Sequence, residues 1–472
     1  MPETAPLLEP ELTRRLTGHA DSLVHVVVIA TKPDIIKQAP VHDELRRRGE
    51  LVVICHTGQH FDHRYSGAML EEFGLEVGVH LGISGDLTAK TAQIVDKFGR
   101  LIHELRDLGL TPLPYIHGDT ATSMAVGVAS YLSQVACVHV EAGIRTITPR
   151  REVLEHFRDQ HRTGALDFEE YLRSQRDPET YERGSREPFP EQFNTRVSDA
   201  ATGYHAAPVE LARTFLLDEG FPPDTVEVVG NTVVDATVAA KRDLGRATVF
   251  DDHPAIRGGE FIRICIHRRE NTEDEARFRV LFGAMERLVR HGRQVLFIRL
   301  FGTDAAIDRF GLRHRLDDLV RAYPETFISS EVWPNYRDVI AAMLECRLVA
   351  TDSGSMQEEM NILGVPCVTL RFGTDRGETL LAGSNVLAPP IDADLVVSVI
   401  EGALDSPHFG RVAGIYGERT AEKLVDGVLA RARVGTGLFR SEEARLGLTP
   451  IRPPHEAARS AGPAHASART AD

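Results

Sequence analysis

Two acidic residues follow two short apolar runs in the middle of the chain. Asp119 comes shortly after the run Leu113–Ile116. Glu141 follows a similar run, Val135–Val138, and the intervening Thr122–Leu132 has the small and apolar spacing of a helix packed on a sheet. Because the parallel strands of such a βαβ unit end at one edge of a sheet, we expect both carboxylates to face one crevice, where different protonation states permit proton transfer. The same pattern also fits Asp119 as a helix N-cap and Glu141 as a solvated loop acid.

A second cluster of candidate residues lies in a turn of small residues. Ser353, Gly354 and Ser355 separate a predicted strand from a predicted helix. Free backbone N–H groups at a helix N-terminus, together with a serine hydroxyl, form a suitable site for a phosphate. Glu359, one helical turn later, is placed to accept both hydroxyls of a ribose. The alternative is an ordinary N-cap at Ser353 without a ligand.

Basic residues stand at several other predicted strand ends. His267 and Arg268 directly follow a strand, Arg376 follows another, and Lys32 and Lys37 lie at the start of the first long helix. Such groups neutralise a diphosphate, and arginine does so with two parallel hydrogen bonds. Each of them also fits a solvated surface residue.

The histidines nearest to each other do not form a metal-binding pattern. His56, His60 and His63 occupy a predicted turn and have no cysteine partners. Zinc sites use closely spaced Cys and His ligands, so we expect neither a metal nor a cofactor.

Length and charge limit the classes of protein that fit. The chain has 472 residues, which favours two or three domains. Lys and Arg number 54 against 69 Asp and Glu, a net charge of −15. This excess of acid argues against general binding to nucleic acids or to anionic membranes, so an anionic ligand needs a local set of donors.

The cysteines and the lengths of the apolar runs indicate the cellular compartment. Most of the five cysteines stand in apolar, strand-like runs, which is typical of buried thiols and not of a disulfide framework. The first six residues have no apolar core, so they do not resemble a signal peptide, and no run approaches the length of a membrane span. We expect a cytoplasmic protein.

Alternating strands and helices predict an α/β protein with two Rossmann-like, doubly wound domains facing a cleft. The charged stretch 145–189 has helical pieces and no predicted strand, and we interpret it as an insertion or a lid. The predicted parts are an N-terminal extension of low order (1–21), a first domain (22–207), a nucleotide-binding domain (208–410), a C-terminal helix (411–440) and a disordered tail (441–472).

Taken together, these motifs resemble those of the non-hydrolysing UDP-N-acetylglucosamine 2-epimerases, from about Leu23 to Arg433. The matching segments are Thr31–Lys37, Thr57–His60, His117–Thr120, His139–Gly143, Pro190–Thr195, Gly230–Asp235, His267–Asn271, Thr351–Glu359 and Arg376–Glu378. The resemblance implies a GT-B-like fold, a UDP-sugar substrate and a homodimer.

The resemblance also implies roles for individual residues. Proton transfer at the sugar C2 would involve Asp119, Glu141, Glu191 and His267. Phosphate would be held by Ser353 with the amides of Gly354 and Ser355, the ribose by Glu359, and the rest of the substrate by Lys32, Lys37, Gln59, Arg268, Arg376 and again His267. UDP would leave C1, and the resulting glycal would be reprotonated on its other face before UDP adds back.

Several departures from the family pattern concern the sugar side of the site. Lys32 replaces an arginine, Gln192 a glutamate and Thr195 an arginine, and residues 298–302 lack the expected histidine. Gly377 stands in place of a proline. The family has only a short connection where this chain has the insertion 145–189. Three hypotheses therefore stay open: a 2-epimerase, a related glycosyltransferase or hydrolase, and a sugar-nucleotide binding protein with weak activity.

Overall fold

The structure of the protein is a computed structural model. It describes residues 5–58, 67–410 and 412–433. The predictions for Gln59 and for the tail 441–472 concern residues outside these ranges.

The strands follow the apolar runs of the sequence. In chain order they are β1 (Leu23–Ile29), β2 (Leu51–His56), β3 (Val77–His80), β4 (Thr111–His117), β5 (Val138–Val140), β6 (Ile147–Pro149), β7 (Tyr181–Arg183), β8 (Tyr204–Ala207), β9 (Val226–Val228), β10 (Phe261–Cys265), β11 (Gln294–Arg299), β12 (Phe327–Glu331), β13 (Leu348–Thr351), β14 (Cys367–Thr369) and β15 (Asn385–Leu387).

Helices connect most of these strands. They are α1 (Pro10–Thr17), α2 (Lys32–Arg47), α3 (Ala68–Glu72), α4 (Leu87–Asp107), α5 (Ala121–Leu132), α6 (Arg151–Arg162), α7 (Phe168–Gln175), α8 (Glu191–Ala200), α9 (Glu210–Asp218), α10 (Val233–Arg242), α11 (Val249–Asp252), α12 (Arg269–Thr272), α13 (Glu275–Arg290), α14 (Phe301–Arg309), α15 (Arg313–Ala322), α16 (Tyr336–Glu345), α17 (Gly354–Leu363), α18 (Gly377–Ala382), α19 (Ala393–Asp405) and α20 (Thr420–Arg433).

Two parallel sheets organise the chain. The first has the order β3-β2-β1-β4-β5-β8-β9 and the second β12-β11-β10-β13-β14-β15. Nearly every residue of β1 and β10 is buried, as expected for strands covered by helices on both faces. The strand order reverses between β1 and β4 and between β10 and β13, and these reversals are where such sheets open a ligand crevice. The predicted pair of doubly wound Rossmann-like domains is therefore confirmed.

The N-terminal extension differs from its predicted low order. Residues 10–17 form helix α1, and Leu8, Leu12 and Leu16 are buried against Phe98 and other core residues of the first domain. Apolar residues at a spacing of four lie on one face of a helix, so this stretch carries its own amphipathic pattern.

The boundary between the domains also differs from the prediction. Strand β9 pairs with β8 in the first sheet, so this domain continues beyond residue 207. Helix α20 returns to it from the end of the described chain, because Leu424 and Val428 pack with Val27 and Tyr115. The chain thus crosses between the domains after β9 and again before α20.

The insertion contains strands, contrary to the prediction. Its residues form β6, α6, α7 and β7, and β6 pairs with β7 in an antiparallel ladder. Each strand has only three residues, and so short a run has no alternating pattern that can be recognised in the sequence. No helix in the described part of the chain is long and apolar enough to cross a membrane.

Candidate active site

Asp119 and Glu141 follow the ends of two neighbouring strands, β4 and β5. The strands are parallel, with Ile116 opposite His139 and His117 opposite Val140. The backbone N–H of Gly118 donates to the carbonyl oxygen of Val140 at 2.9 Å. Asp119 and Glu141 therefore lie just beyond adjacent strand ends, as the βαβ pattern predicts.

Glu141 is surrounded by hydrogen-bond donors. Its carboxylate accepts from Lys37, from His117 Nε2 at 3.2 Å, from Asn231 Nδ2 at 3.1 Å and from Arg376 Nη2 at 2.6 Å. Burial would raise the pKa of Glu141, but Lys37 and Arg376 hold this pKa well below its usual range. A carboxylate with four donors stays ionised and is poorly suited to taking up a proton.

The second domain supplies a matching acid, Glu358 of α17. Its carboxylate accepts from Lys37 Nζ at 2.6 Å, from Asn231 Nδ2 at 3.0 Å and from Arg376 Nε at 2.5 Å. Lys37, Glu141, Glu358 and Arg376 thus form a buried cluster of two cations and two anions, which we call the charge cluster. Because two members come from each domain, it also joins the two walls of the cleft.

Asp119 has a different environment from Glu141. It is partly exposed to the cleft. Burial and then the charge of Glu191 raise the pKa of Asp119 to about 6, while Arg268 and Arg376 act in the opposite direction. A carboxyl group with such a pKa changes its protonation state near neutral pH, which a general acid or base requires.

Glu191 lies at the start of α8, and its charge is one cause of the raised pKa of Asp119. Arg268 Nη1 donates to Glu191 Oε1 at 2.7 Å. Helix α8 is anchored to the turn that follows β4, because Asn194 Nδ2 donates to the carbonyl oxygen of Asp119 at 3.0 Å. Asp119 and Glu191, which we call the acid pair, therefore face the basic residues of the second domain together.

The N-terminus of α17 forms the candidate phosphate site. Ser353 and Ser355 are partly exposed there, and Gly354 lies beneath two guanidinium groups. A Cβ atom placed on Gly354 would lie 3.4 Å from Arg376 Cζ and 3.5 Å from Arg268 Nη2. Free backbone N–H groups and two arginines at one helix end create a strongly anion-binding position.

His267 is held as a cation beside this position. The carboxylate of Asp352 lies 3.0 Å from His267 Nδ1 and also accepts from the backbone N–H groups of His267 and Arg268. Burial lowers the pKa of His267, but the Asp352 charge more than offsets this and raises the pKa to about 10. The imidazolium therefore contributes positive charge at neutral pH.

Lys32 and Glu359 bind residues near the start of α16, in the second domain. Lys32 Nζ donates to the carbonyl oxygen of Trp333 at 3.0 Å, and burial lowers the pKa of Lys32 to about 8. Glu359 accepts from the hydroxyl of Tyr336 at 3.1 Å, and burial raises its pKa to about 7. Both residues lie where α2 of the first domain approaches α16 and α17.

The sequence interpretation missed three members of this site. His117, Asn231 and Glu358 were not chosen as site residues, although each stands inside a segment that matches the family. Within residues 5–58, 67–410 and 412–433, no group of three His, Cys, Asp or Glu side chains is arranged to hold a metal ion.

The two Rossmann-like domains place the acid pair on one wall of the cleft and the candidate phosphate site, with its two arginines, on the other. A family model described as UDP-N-acetylglucosamine 2-epimerase matches residues 43–160 and 182–430. The chain belongs to this family, whose members are isomerases. The unmatched residues 161–181 lie inside the insertion.

Several curated relatives match this chain over most of their own length. The UDP-N-acetylglucosamine 2-epimerase of Methanocaldococcus jannaschii is 27% identical over 388 residues, covering 79% of this chain and 90% of the relative. A Pseudomonas aeruginosa relative, a UDP-2,3-diacetamido-2,3-dideoxy-D-glucuronate 2-epimerase, is 26% identical over 373 residues, covering 77% and 87%. Related enzymes thus act on different sugars.

Solved structures share the fold. The M. jannaschii UDP-GlcNAc 2-epimerase in complex with UDP-GlcNAc and UDP has a TM-score of 0.69 at 23% identity and covers 86% of this chain and 99% of that one. The Neisseria meningitidis UDP-GlcNAc 2-epimerase bound to UDP-GlcNAc also has a TM-score of 0.69 at 23% identity, covering 86% and 100%. The GT-B-like architecture expected from the resemblance is therefore present.

Proposed function

We propose that the protein inverts the configuration at C2 of UDP-N-acetylglucosamine or of a closely related UDP-sugar. The observation that carries this proposal is the acid pair, Asp119 and Glu191, placed opposite the two arginines at the N-terminus of α17. The acid pair can move a proton at carbon, and the two arginines can hold a leaving diphosphate. Family membership supports the same reaction, because the relatives reported above are 2-epimerases rather than glycosyltransferases or hydrolases.

The reaction needs no atoms beyond those of the substrate and the acid pair. One carboxylate of the pair removes the C2 proton, the C2–H electrons form the C1–C2 double bond, and UDP leaves with the electrons of the C1–O bond. The other member of the pair then donates a proton to the opposite face of C2. UDP adds back at C1, which gives the C2 epimer.

Binding follows from the charges at the cleft. The amides at Gly354 and Ser355, with the hydroxyl of Ser353, take the phosphate, and Arg268 and Arg376 neutralise the charge that develops on the departing UDP. His267 and Lys32 add further cations, and Glu359 accepts the ribose hydroxyls. Gln59 completes the proposed set and lies outside the described residues.

The decisive experiment is incubation with UDP-N-acetylglucosamine in deuterated water, followed by NMR. Deuterium at C2 together with a manno product would support epimerisation. Free UDP with a new glycoside or a free sugar would indicate transfer or hydrolysis, and binding without turnover would indicate a binding protein.

We also propose a cytoplasmic homodimer. The cytoplasmic location is supported by the five cysteines, all of which are free thiols in buried positions. The dimer is the expectation of the family resemblance. Fractionation of cells and light scattering of the purified protein test the two statements separately.

A further inference from the structure

The insertion, residues 145–189, leaves the first domain after β5 and returns to it at α8, yet its middle part packs on the second domain. The Tyr171 hydroxyl donates to the carbonyl oxygen of Leu387 at 2.8 Å, and the backbone N–H of Leu387 donates to Gln175 Oε1 at 3.2 Å. Arg176 Nη2 donates to the carbonyl oxygen of His408 at 2.7 Å. These contacts join the insertion to the backbone of β15 and of the turn after α19.

Apolar packing reinforces the contact. Phe157, Tyr171 and Leu172 are buried within the same core cluster as Phe282 and Val396 of the second domain. Removing these large apolar side chains from water stabilises the contact between the insertion and the second domain. The insertion is therefore a fixed part of the second domain's core and not a lid that rests on its surface.

The base of the insertion contacts the residues beside the acid pair. The backbone N–H of Thr146 donates to Gln192 Oε1 at 3.1 Å, and the Thr146 hydroxyl donates to the carbonyl oxygen of Glu187 at 2.6 Å. Gln192 follows Glu191 directly, so these bonds hold the first turn of α8 in place.

The same base is also joined to the arginine of the phosphate site. Ile147 and Thr374 exchange two backbone hydrogen bonds, of 2.9 and 3.0 Å. The Thr374 hydroxyl accepts from the backbone N–H of Arg376 at 3.0 Å. The short segment 146–147 thus contacts Gln192, next to Glu191 in the first domain. It also contacts Thr374, which accepts from the backbone of Arg376 in the second domain.

We propose that residues 145–189 form a clamp that holds the two domains closed and fixes the first turn of α8, which carries Glu191, relative to the turn that carries Arg376. The family model leaves the central part of this segment, 161–181, unmatched, so the part of the clamp that contains α7 lies beyond the shared pattern. Its catalytic meaning depends on the function proposed above. During the reaction, a cleft held closed would keep UDP and the glycal together until UDP adds back.

Two glycines allow the clamp to be displaced without changing a site residue. A Cβ at Gly373 would lie 2.5 Å from Thr148 Oγ1 and 2.6 Å from the carbonyl oxygen of Ile147. A Cβ at Gly402 of α19 would lie 2.5 Å from the ring of Phe168. Neither glycine has a positive φ, so alanine strains only the contact with the insertion. Gly283→Ala is the matched control, since its nearest neighbour would be Ala393 Cβ at 3.7 Å.

The test compares Gly373→Ala and Gly402→Ala with Gly283→Ala and the unaltered protein. In both wedge variants we expect faster hydrogen–deuterium exchange of residues 374–382. With UDP-N-acetylglucosamine, we expect a several-fold larger fraction of turnovers to end as free UDP and glycal. Thermal unfolding checks that each variant is folded.

Two results would overturn the clamp. One is exchange of residues 374–382 that stays at the level of the control in both wedge variants. The other is faster exchange together with an unchanged partition between epimer and free glycal, which would reduce the insertion to a stabilising element. If the unaltered protein exchanges no C2 proton, the proposed function fails, and the exchange of residues 374–382 alone still decides whether the insertion holds the cleft.

Discussion

Glu141 and Asp119 stand at neighbouring strand ends and carry the same chemical group, but their surroundings differ. Glu141 receives four donors from both domains, whereas Asp119 is partly exposed and its pKa is raised by the charge of a second acid, Glu191. The number and charge of the partners, and not the position on the sheet, set the protonation state of each carboxyl group. From this difference we propose that Glu141 holds the cations in place and that Asp119 and Glu191 move protons.

The largest effect is expected for Asp119→Asn. The amide cannot accept the C2 proton, so C2 exchange in deuterated water should fall on the order of 10³-fold. UDP affinity, measured by calorimetry, should stay nearly unchanged because the proposed phosphate site lies in the other domain. A large loss of UDP binding would remove Asp119 from its role as a proton-transfer group.

Glu141→Gln should act mainly on stability. The variant leaves Lys37 and Arg376 with one anionic partner fewer in a buried site, which costs about 3–5 kcal/mol of unfolding free energy. Denaturant unfolding measures this, with the exposed Glu182→Gln as control. Unchanged stability with abolished C2 exchange would instead make Glu141 a proton-transfer group like Asp119.

Asn231→Ala tests the bridge between the two anions of the charge cluster. Its amide donates to both Glu141 and Glu358, and loss of hydrogen bonds to charged groups costs about 2–3 kcal/mol of unfolding free energy. UDP affinity should change little. A loss of UDP affinity with normal stability would place Asn231 in contact with the substrate.

The smallest effect concerns the pH dependence of stability at Asp119. Its pKa in the folded protein is about 6, above the ordinary value of 3.8, so its stabilising contribution is complete below pH 3.8 and is lost as the pH rises through 6. Asp119→Asn should therefore be more stable than the unaltered protein above pH 6, by about 1–2 kcal/mol for a partly exposed group. The difference should vanish below about pH 4. Unfolding curves measured between about pH 4 and pH 7 test this, with the exposed Asp107→Asn as control. A stability difference between Asp119→Asn and the unaltered protein that does not change with pH would refute the raised pKa.

Most of the fold was accessible from the sequence because most of the parallel strands are largely apolar runs that end in polar residues. Most of the elements that escaped prediction lack such a local pattern. Strands β6 and β7 have three residues each and exist because they pair with one another. Helix α1 is different, since its leucines at a spacing of four were present to be recognised.

The sequence by itself determined that Asp119 and Glu141 lie at one sheet edge, because the βαβ pattern fixes the direction of both strands. Only the tertiary structure decided what each acid can do. The partners that hold Glu141 ionised come from as far as Arg376 along the chain, and those that tune Asp119 come from Glu191 and Arg268. A pKa depends on charges and solvent near the group in space, and no local pattern of residues specifies these.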